Sequence, residues 1–170
     1  MIGNDIVDLA LSRKESNWQR QGFLQKIFTL KEQSLIQNSE NKELLIWNLW
    51  TRKEASYKIF VQESEIKGYF PQKIECFYSS ELIGNVSIGE KVYHTKTIIT
   101  EEFIHTIAIK NHLDFDSVLV MKNRDSIIKI DGIPKYFDKQ SGNYISVSIS
   151  NHGRFEKIVM LTNITSPIGV

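Results

Sequence analysis

The stretch Leu49-Trp50-Thr51-Arg52-Lys53-Glu54-Ala55-Ser56-Tyr57-Lys58 decides how this chain is read. Leu45, Trp47, Leu49, Trp50, Tyr57 and Phe60 form an apolar series at helical spacing, which predicts the strongest helix of the chain from Glu43 to about Val61. Thr51, Glu54 and Lys58 lie three and four residues apart and project from one side of it, a polar stripe beside the apolar one. The stripe has two readings. It is either a solvated helix face with a Glu54–Lys58 pair worth only about 0.3–0.5 kcal/mol, or half of a functional site that another segment completes.

The candidate for the other half is Gly3-Asn4-Asp5. Ile2, Ile6, Val7 and Leu9 alternate weakly around Asp5 and Asp8, which suits a short strand running into a turn. One carboxylate on a strand and another on a helix can converge on a hard divalent cation, and oxygen ligands with retained waters suit magnesium better than zinc. Taken alone, Asp5 suits a turn cap slightly better. Near the other end, the run from Ser146 to Phe155 alternates hydroxyls with aliphatic residues, then breaks into a polar turn carrying His152 and Arg154. Hydroxyls, imidazole and guanidinium at a strand end suit phosphate oxygens; the plainer reading is a solvent-facing serine row and a surface turn.

The remaining elements follow from periodicity and punctuation. A helix is predicted from Ser16 or Asn17 through Trp18, Phe23, Leu24, Ile27 and Phe28. A second starts at Thr29, where Thr29-Leu30-Lys31-Glu32 has the form of a capping box, and runs to about Gln37. Beyond Gly68 and Pro71 come strand-like runs at Lys73 to Tyr78, Asn85 to Ile88, Val92 to Ile99 and Phe103 to Ile109. Asp116 to Met121 fits helix or strand. Residues 126 to 130 and 144 to 150 read as strands on either side of a turn-prone stretch holding Gly132, Pro134 and Gly142, and Lys157 to Leu161 as the last strand. Helices early and strands late predict an α+β fold, a long helix on a mainly antiparallel sheet, in one domain over residues 1–170.

Composition excludes several function classes. The chain has 170 residues, 41% of them apolar, and a net charge of +1 from 21 basic and 20 acidic groups. That balance carries no broad basic footprint for nucleic acid or an anionic membrane, so any anion site is local. A lone cysteine, Cys76, rules out an internal disulfide and a multi-cysteine metal site. The first residues carry charges where a signal peptide needs an apolar run, and no stretch approaches the ~18 apolar residues of a membrane span. The expected location is the cytoplasm.

Taken in order, Gly3-Asn-Asp5-Ile-Val, Phe28-Thr-Leu-Lys-Glu32, Trp50-Thr-Arg-Lys-Glu-Ala-Ser-Tyr-Lys58, Gly132-Ile-Pro134 and Ser148-Ile-Ser-Asn-His152 resemble the 4'-phosphopantetheinyl transferase superfamily. Their order is similar to that of the compact holo-acyl-carrier-protein synthase type, whereas Leu49-Trp-Thr-Arg-Lys-Glu54 is closer to the longer, two-repeat surfactin-synthetase type. The resemblance implies that the chain moves the 4'-phosphopantetheine of coenzyme A onto a serine of an acidic acyl or peptidyl carrier protein, releasing 3',5'-adenosine bisphosphate. It implies magnesium on Asp5 and Glu54, Lys58 on the phosphoryl group, and Lys53, Ser150, Asn151 and His152 near the coenzyme phosphates. Glu54 is the expected proton acceptor. Thr29 and Glu32 match a motif of architectural character.

Three departures from the family pattern stand out. Asn151 occupies the place of the family's histidine, with His152 next to it; Val7 stands where the longer type has a second acidic residue; and Leu49 stands where the compact type often has arginine. The subunit arrangement implied is either a homotrimer with shared sites or a single chain built as a pseudo-repeat. Arg13, Lys14, Arg20 and Lys26 are the candidate basic surface for an acidic carrier helix. Two other readings compete: a non-catalytic coenzyme A or carrier-binding module on the same fold, motivated by Asn151, and an unrelated α+β domain whose motifs coincide by chance.

Overall fold

The computed structural model describes residues 1–64 and 68–162. Among the described residues, ten strands and four α-helices follow in the order β1 (Ile2–Asp8), α1 (Leu9–Glu15), α2 (Phe23–Ile27), α3 (Leu30–Asn38), α4 (Lys42–Glu63), β2 (Ile74–Tyr78), β3 (Ile83–Ile88), β4 (Lys91–Ile99), β5 (Phe103–Ile109), β6 (Val118–Met121), β7 (Ile127–Ile130), β8 (Ile133–Asp138), β9 (Asn143–His152) and β10 (Phe155–Leu161). The predicted α+β class holds, with every strand pairing antiparallel. The domain expected over residues 1–170 extends beyond the described residues at 65–67 and 163–170.

Two five-stranded sheets share one strand order. The first runs β1-β5-β4-β3-β2 and the second β6-β10-β9-β8-β7, so each opens with an edge strand, jumps to its fifth and counts back. All four helices lie between the first and second strands of the first sheet; only residues 122–126 lie at that point in the second. The main core forms where α4 crosses the first sheet, from Val7, Leu49, Ala55, Ile59, Val86, Tyr93, Ile104 and Ala108 among others. A smaller cluster of Ile2, Ile107, Ile109 and Val159 joins the far face of that sheet to β10. β1 thus lies between α4 and the second sheet. It approaches α4 closely because Gly3 has no side chain: a Cβ there would collide with the Ala55 carbonyl oxygen and meet Ile59 Cγ1 at 3.1 Å.

The capping box forms as expected. Thr29 Oγ1 accepts from the Glu32 amide at 3.3 Å, and Glu32 Oε2 accepts from the Thr29 amide at 2.8 Å. The helix predicted from Ser16 does not form. Asp8 caps a helix the periodicity did not show, α1, which ends at Ser16, and Gly22 at φ 81° then breaks the chain before the five-residue α2. Trp18, Leu24 and Ile27 still pack on the core, which explains their helical spacing without a continuous helix. The turn-prone stretch around Gly132 and Pro134 contains β8, a strand in the middle of its sheet. Asp131 and Gly132, at φ 52° and 79°, make the two-residue hairpin turn that joins it to β7.

Candidate active site

Alternation along β1 sorts its residues between two neighbours. Gly3 and Val7 face the core under α4, with Asp5 between them, while Asn4 and Asp8 face the second sheet. Asp5 stands across from Thr106 of β5. The Thr106 hydroxyl meets Thr51 Oγ1 at 2.7 Å and Thr97 Oγ1 at 2.9 Å, a buried chain of hydroxyls that pins α4 to the sheet. Glu54 and Lys58, one and two turns beyond Thr51, are thereby set beside Asp5. The polar stripe of α4 is a packed face, not a solvated one. Lys58 Nζ donates to the Asn4 carbonyl at 2.7 Å and to Asp5 Oδ1 and the Ile149 carbonyl, both at 3.4 Å, so it joins α4, β1 and β9.

The two carboxylates are short of positive charge. Burial pushes the Asp5 carboxyl up to about 7; Lys58 opposes that shift and the Glu54 charge adds to it. Glu54 is likewise raised by burial, against the lowering effects of Tyr69 and Lys58. The Tyr69 hydroxyl faces Glu54 without a well-formed hydrogen bond, and the phenol is raised by its own burial and then by the Glu54 charge. Two partly dehydrated carboxylates sharing one ammonium suit a further cation. Among the described residues no three His, Cys, Asp or Glu side chains cluster. The donor set is therefore two carboxylates with no imidazole or thiolate, which would suit a hard, water-retaining divalent cation better than tetrahedral zinc.

Asp5 and Glu54 border a cavity of about 290 Å³ together with Trp50, Ser16, Asn151 and His152. The last two come from the tip of the β9–β10 hairpin, whose loop is Gly153-Arg154. Asp8 holds that tip. Its backbone N–H donates to His152 Nδ1 at 2.8 Å, and its carboxylate accepts from Arg154 Nε at 2.9 Å and Nη2 at 3.1 Å. The same carboxylate caps α1 through the Ala10 and Leu11 amides, and the Arg154 guanidinium holds it well below the usual carboxylate range. Arg154 also reaches Glu102 at 3.1 Å, so the guanidinium expected on phosphate oxygens is committed to two carboxylates.

Other expected site residues land elsewhere. Lys53 is fully buried: its ammonium pairs with Glu32 at 2.6 Å and donates to the carbonyls of Ile27, Pro71 and Ile74 at 3.1, 2.8 and 2.7 Å. Its three hydrogens are spent on the protein, so the expectation that it sits near coenzyme phosphates is corrected. Glu32 takes a buried place too, its other oxygen accepting from the Cys76 amide at 2.8 Å. Ser148 and Ser150 are buried, not solvent-facing. Ser148 Oγ accepts from the Asn4 amide and Ser150 Oγ from Asn4 Nδ2, both at 2.9 Å, so the serine row ties β9 to β1 behind the cavity. Sequence reasoning missed Asn4, Asp8 and Tyr69. Alternation along β1 marked Asn4 and Asp8 as facing away from Asp5, a signal that was legible; nothing marked Tyr69.

No curated protein matches the chain. Its fold is similar to the crystal structure of Helicobacter pylori holo-[acyl-carrier-protein] synthase in complex with coenzyme A, with a TM-score of 0.52 and 19% identity over 65% of this chain and 100% of that one. Among the described residues no helix is long and apolar enough to cross a membrane. The family model described as 4'-phosphopantetheinyl transferase superfamily matches residues 1–108, a span that holds Asp5, Glu54 and Lys58 and stops short of the β9–β10 hairpin. More than half of the chain and the carboxylate half of the cavity fall inside that match, and the chain belongs to the 4'-phosphopantetheinyl transferase superfamily.

Proposed function

We propose that this protein transfers 4'-phosphopantetheine from coenzyme A to a serine hydroxyl of an acidic acyl or peptidyl carrier protein, with magnesium held by Asp5 and Glu54. The observation that carries this reading is the convergence, within one chain, of two raised carboxylates and the Asn151–His152 tip on one cavity, with the Lys58 ammonium paired to Asp5 beside it. Bound magnesium would supply positive charge to the phosphoryl oxygens, the main electrostatic requirement of such a transfer. Lys58, already anchored on the Asn4 carbonyl, adds a second positive charge beside Asp5. Asn151 and His152 offer polar side chains to the coenzyme phosphates. Glu54, made more basic by its burial, accepts the proton of the attacking serine.

Bringing the acidic helix of a carrier to this cavity calls for a basic rim. Arg13 on α1 is held by Glu43 at 3.1 Å, while Lys14 lies beside it on the same short helix, and Arg20 stacks over Phe23 at 5.6 Å. The α1 part of this side, whose Ser12 and Ser16 line the cavity, is the docking face of the proposal.

Intact-mass spectrometry of apo carrier proteins incubated with the protein, coenzyme A and magnesium tests it, beside an Asp5→Ala/Glu54→Ala control. A magnesium-dependent gain of one phosphopantetheine, absent from the control, is the expected result. Coenzyme A binding with no gain on any carrier would replace the transferase by a binding module on the same fold.

A further inference from the structure

The hairpin tip and the start of α1 meet at Asp8. Asp8 caps the helix, receives both arms of Arg154 and donates its own amide to His152. The loop between His152 and Arg154 closes on the same residue. Gly153 has φ +54°, and a Cβ on it would lie 2.6 Å from Asp8 Oδ2 and 3.0 Å from Leu11 Cδ2, so only glycine lets the tip sit this close.

The hydrogen bond to His152 has a chemical consequence. A backbone amide can only donate, so Nδ1 of the ring must carry the lone pair. In a neutral imidazole the proton then sits on Nε2. Among the described residues nothing accepts from Nε2, and the ring borders the cavity with Asp5 and Glu54.

We propose that Asp8 is a positioning residue: its amide fixes His152 as the Nε2–H tautomer and its carboxylate, through Arg154, holds the tip so that this N–H serves as a donor to a phosphate oxygen of the substrate. This rests on the transferase reading above. It also assigns direction to the proton traffic. With Nδ1 occupied by the Asp8 amide and Nε2 already protonated, His152 cannot take the serine proton and acts as a donor only, which leaves that task to Glu54. The histidine that the family pattern puts at position 151 is thus replaced from the next position: alternation along β9 puts His152 on the face of Ser148 and Ser150, toward β1, where the Asp8 amide meets its ring.

Two measurements test the proposal. In the first, long-range proton–nitrogen spectra of the histidine-labelled protein, with the signals assigned through His152→Gln, report the tautomer directly. The Nε2–H form is expected in the wild type, with a mixture of forms in Asp8→Asn, a change that keeps the helix cap but loses the charge facing Arg154. A wild-type Nδ1–H form would overturn the proposal. This reading does not depend on turnover, so a protein that shows the Nε2–H form yet transfers nothing would sink the transferase reading and leave the positioning intact. In the second, Asp8→Asn and His152→Gln are each expected to raise KM for coenzyme A about five- to tenfold, the scale of one neutral hydrogen bond, with kcat within about twofold. The double variant should rise no further than either single one. Multiplying effects, or an equal fall of kcat in Asp8→Asn, would show a residue that only supports folding and would overturn the assignment.

Discussion

Lys53 and Glu54 are neighbours with opposite fates. The helix turns Glu54 toward β1 and the cavity, and turns Lys53 inward onto Glu32 and three backbone carbonyls. A buried ammonium with all its hydrogens bonded, facing a carboxylate that also accepts from two amides, is a closed unit whose parts fail separately. Lys53→Met should therefore cost about 3–5 kcal/mol in urea unfolding, because it leaves the Glu32 charge buried and unpaired, while Lys53→Met/Glu32→Gln should recover a good part of that loss. A double variant no more stable than Lys53→Met would show that the pair is not what holds α4 to the α3 cap. The sequence listed both charged residues side by side in a motif and had no means of separating them. Residue type and helical spacing give the direction of a side chain around its axis, but which side is covered depends on α2, α3 and β2, which arrive from elsewhere in the chain.

At the scale of the element, β1 is the part on which both halves of the cavity depend. Gly3 lets it lie against the backbone of α4, and a methyl group there must push the two apart. Gly3→Ala should destabilise the fold by about 1–3 kcal/mol and, by moving Asp5 away from Lys58, weaken coenzyme A binding measured by calorimetry even where the fold survives. Unchanged binding and stability would mean that β1 has slack the packing does not show. The strong elements were legible from sequence: α4 and β5 announced themselves by long periodic runs, and α3 by its capping box. α1 was hidden because Asp8 ends an alternating run that reads as a strand entering a turn, and the structure uses it as the cap of the helix that follows. β8 was hidden behind Pro134, although Asp131-Gly132 marked a hairpin turn that should have outweighed the proline.

On the scale of the molecule, the seam between the first sheet and the second is polar at its centre. His105 of β5 lies there, 2% exposed, in contact with Asn4 Nδ2 at 3.1 Å. Burial, then the positive charges of Lys157 and Lys58, depress its pKa to about 4. The unfolded chain takes up this proton near pH 6.5 and the folded one only near 4, so stability should be full above pH 6.5 and fall by on the order of 3 kcal/mol as the pH drops to 4. Urea titrations across that window should show the slope flatten in His105→Gln; an unchanged slope would put the acid sensitivity elsewhere. The seam itself was not legible in the sequence, because it joins residues whose only common feature is their final position. Asn4 meets Ser148 across 144 residues, and Asp8 meets Arg154 across 146. Those spans also set a timetable. β1 leaves the ribosome early, yet its β5 edge, its second-sheet partners and the histidine beside its aspartate are all made much later, and contacts so far apart in sequence close slowly. The nascent strand must wait, exposed on both sides, and the cavity comes into being only when the β9–β10 hairpin docks.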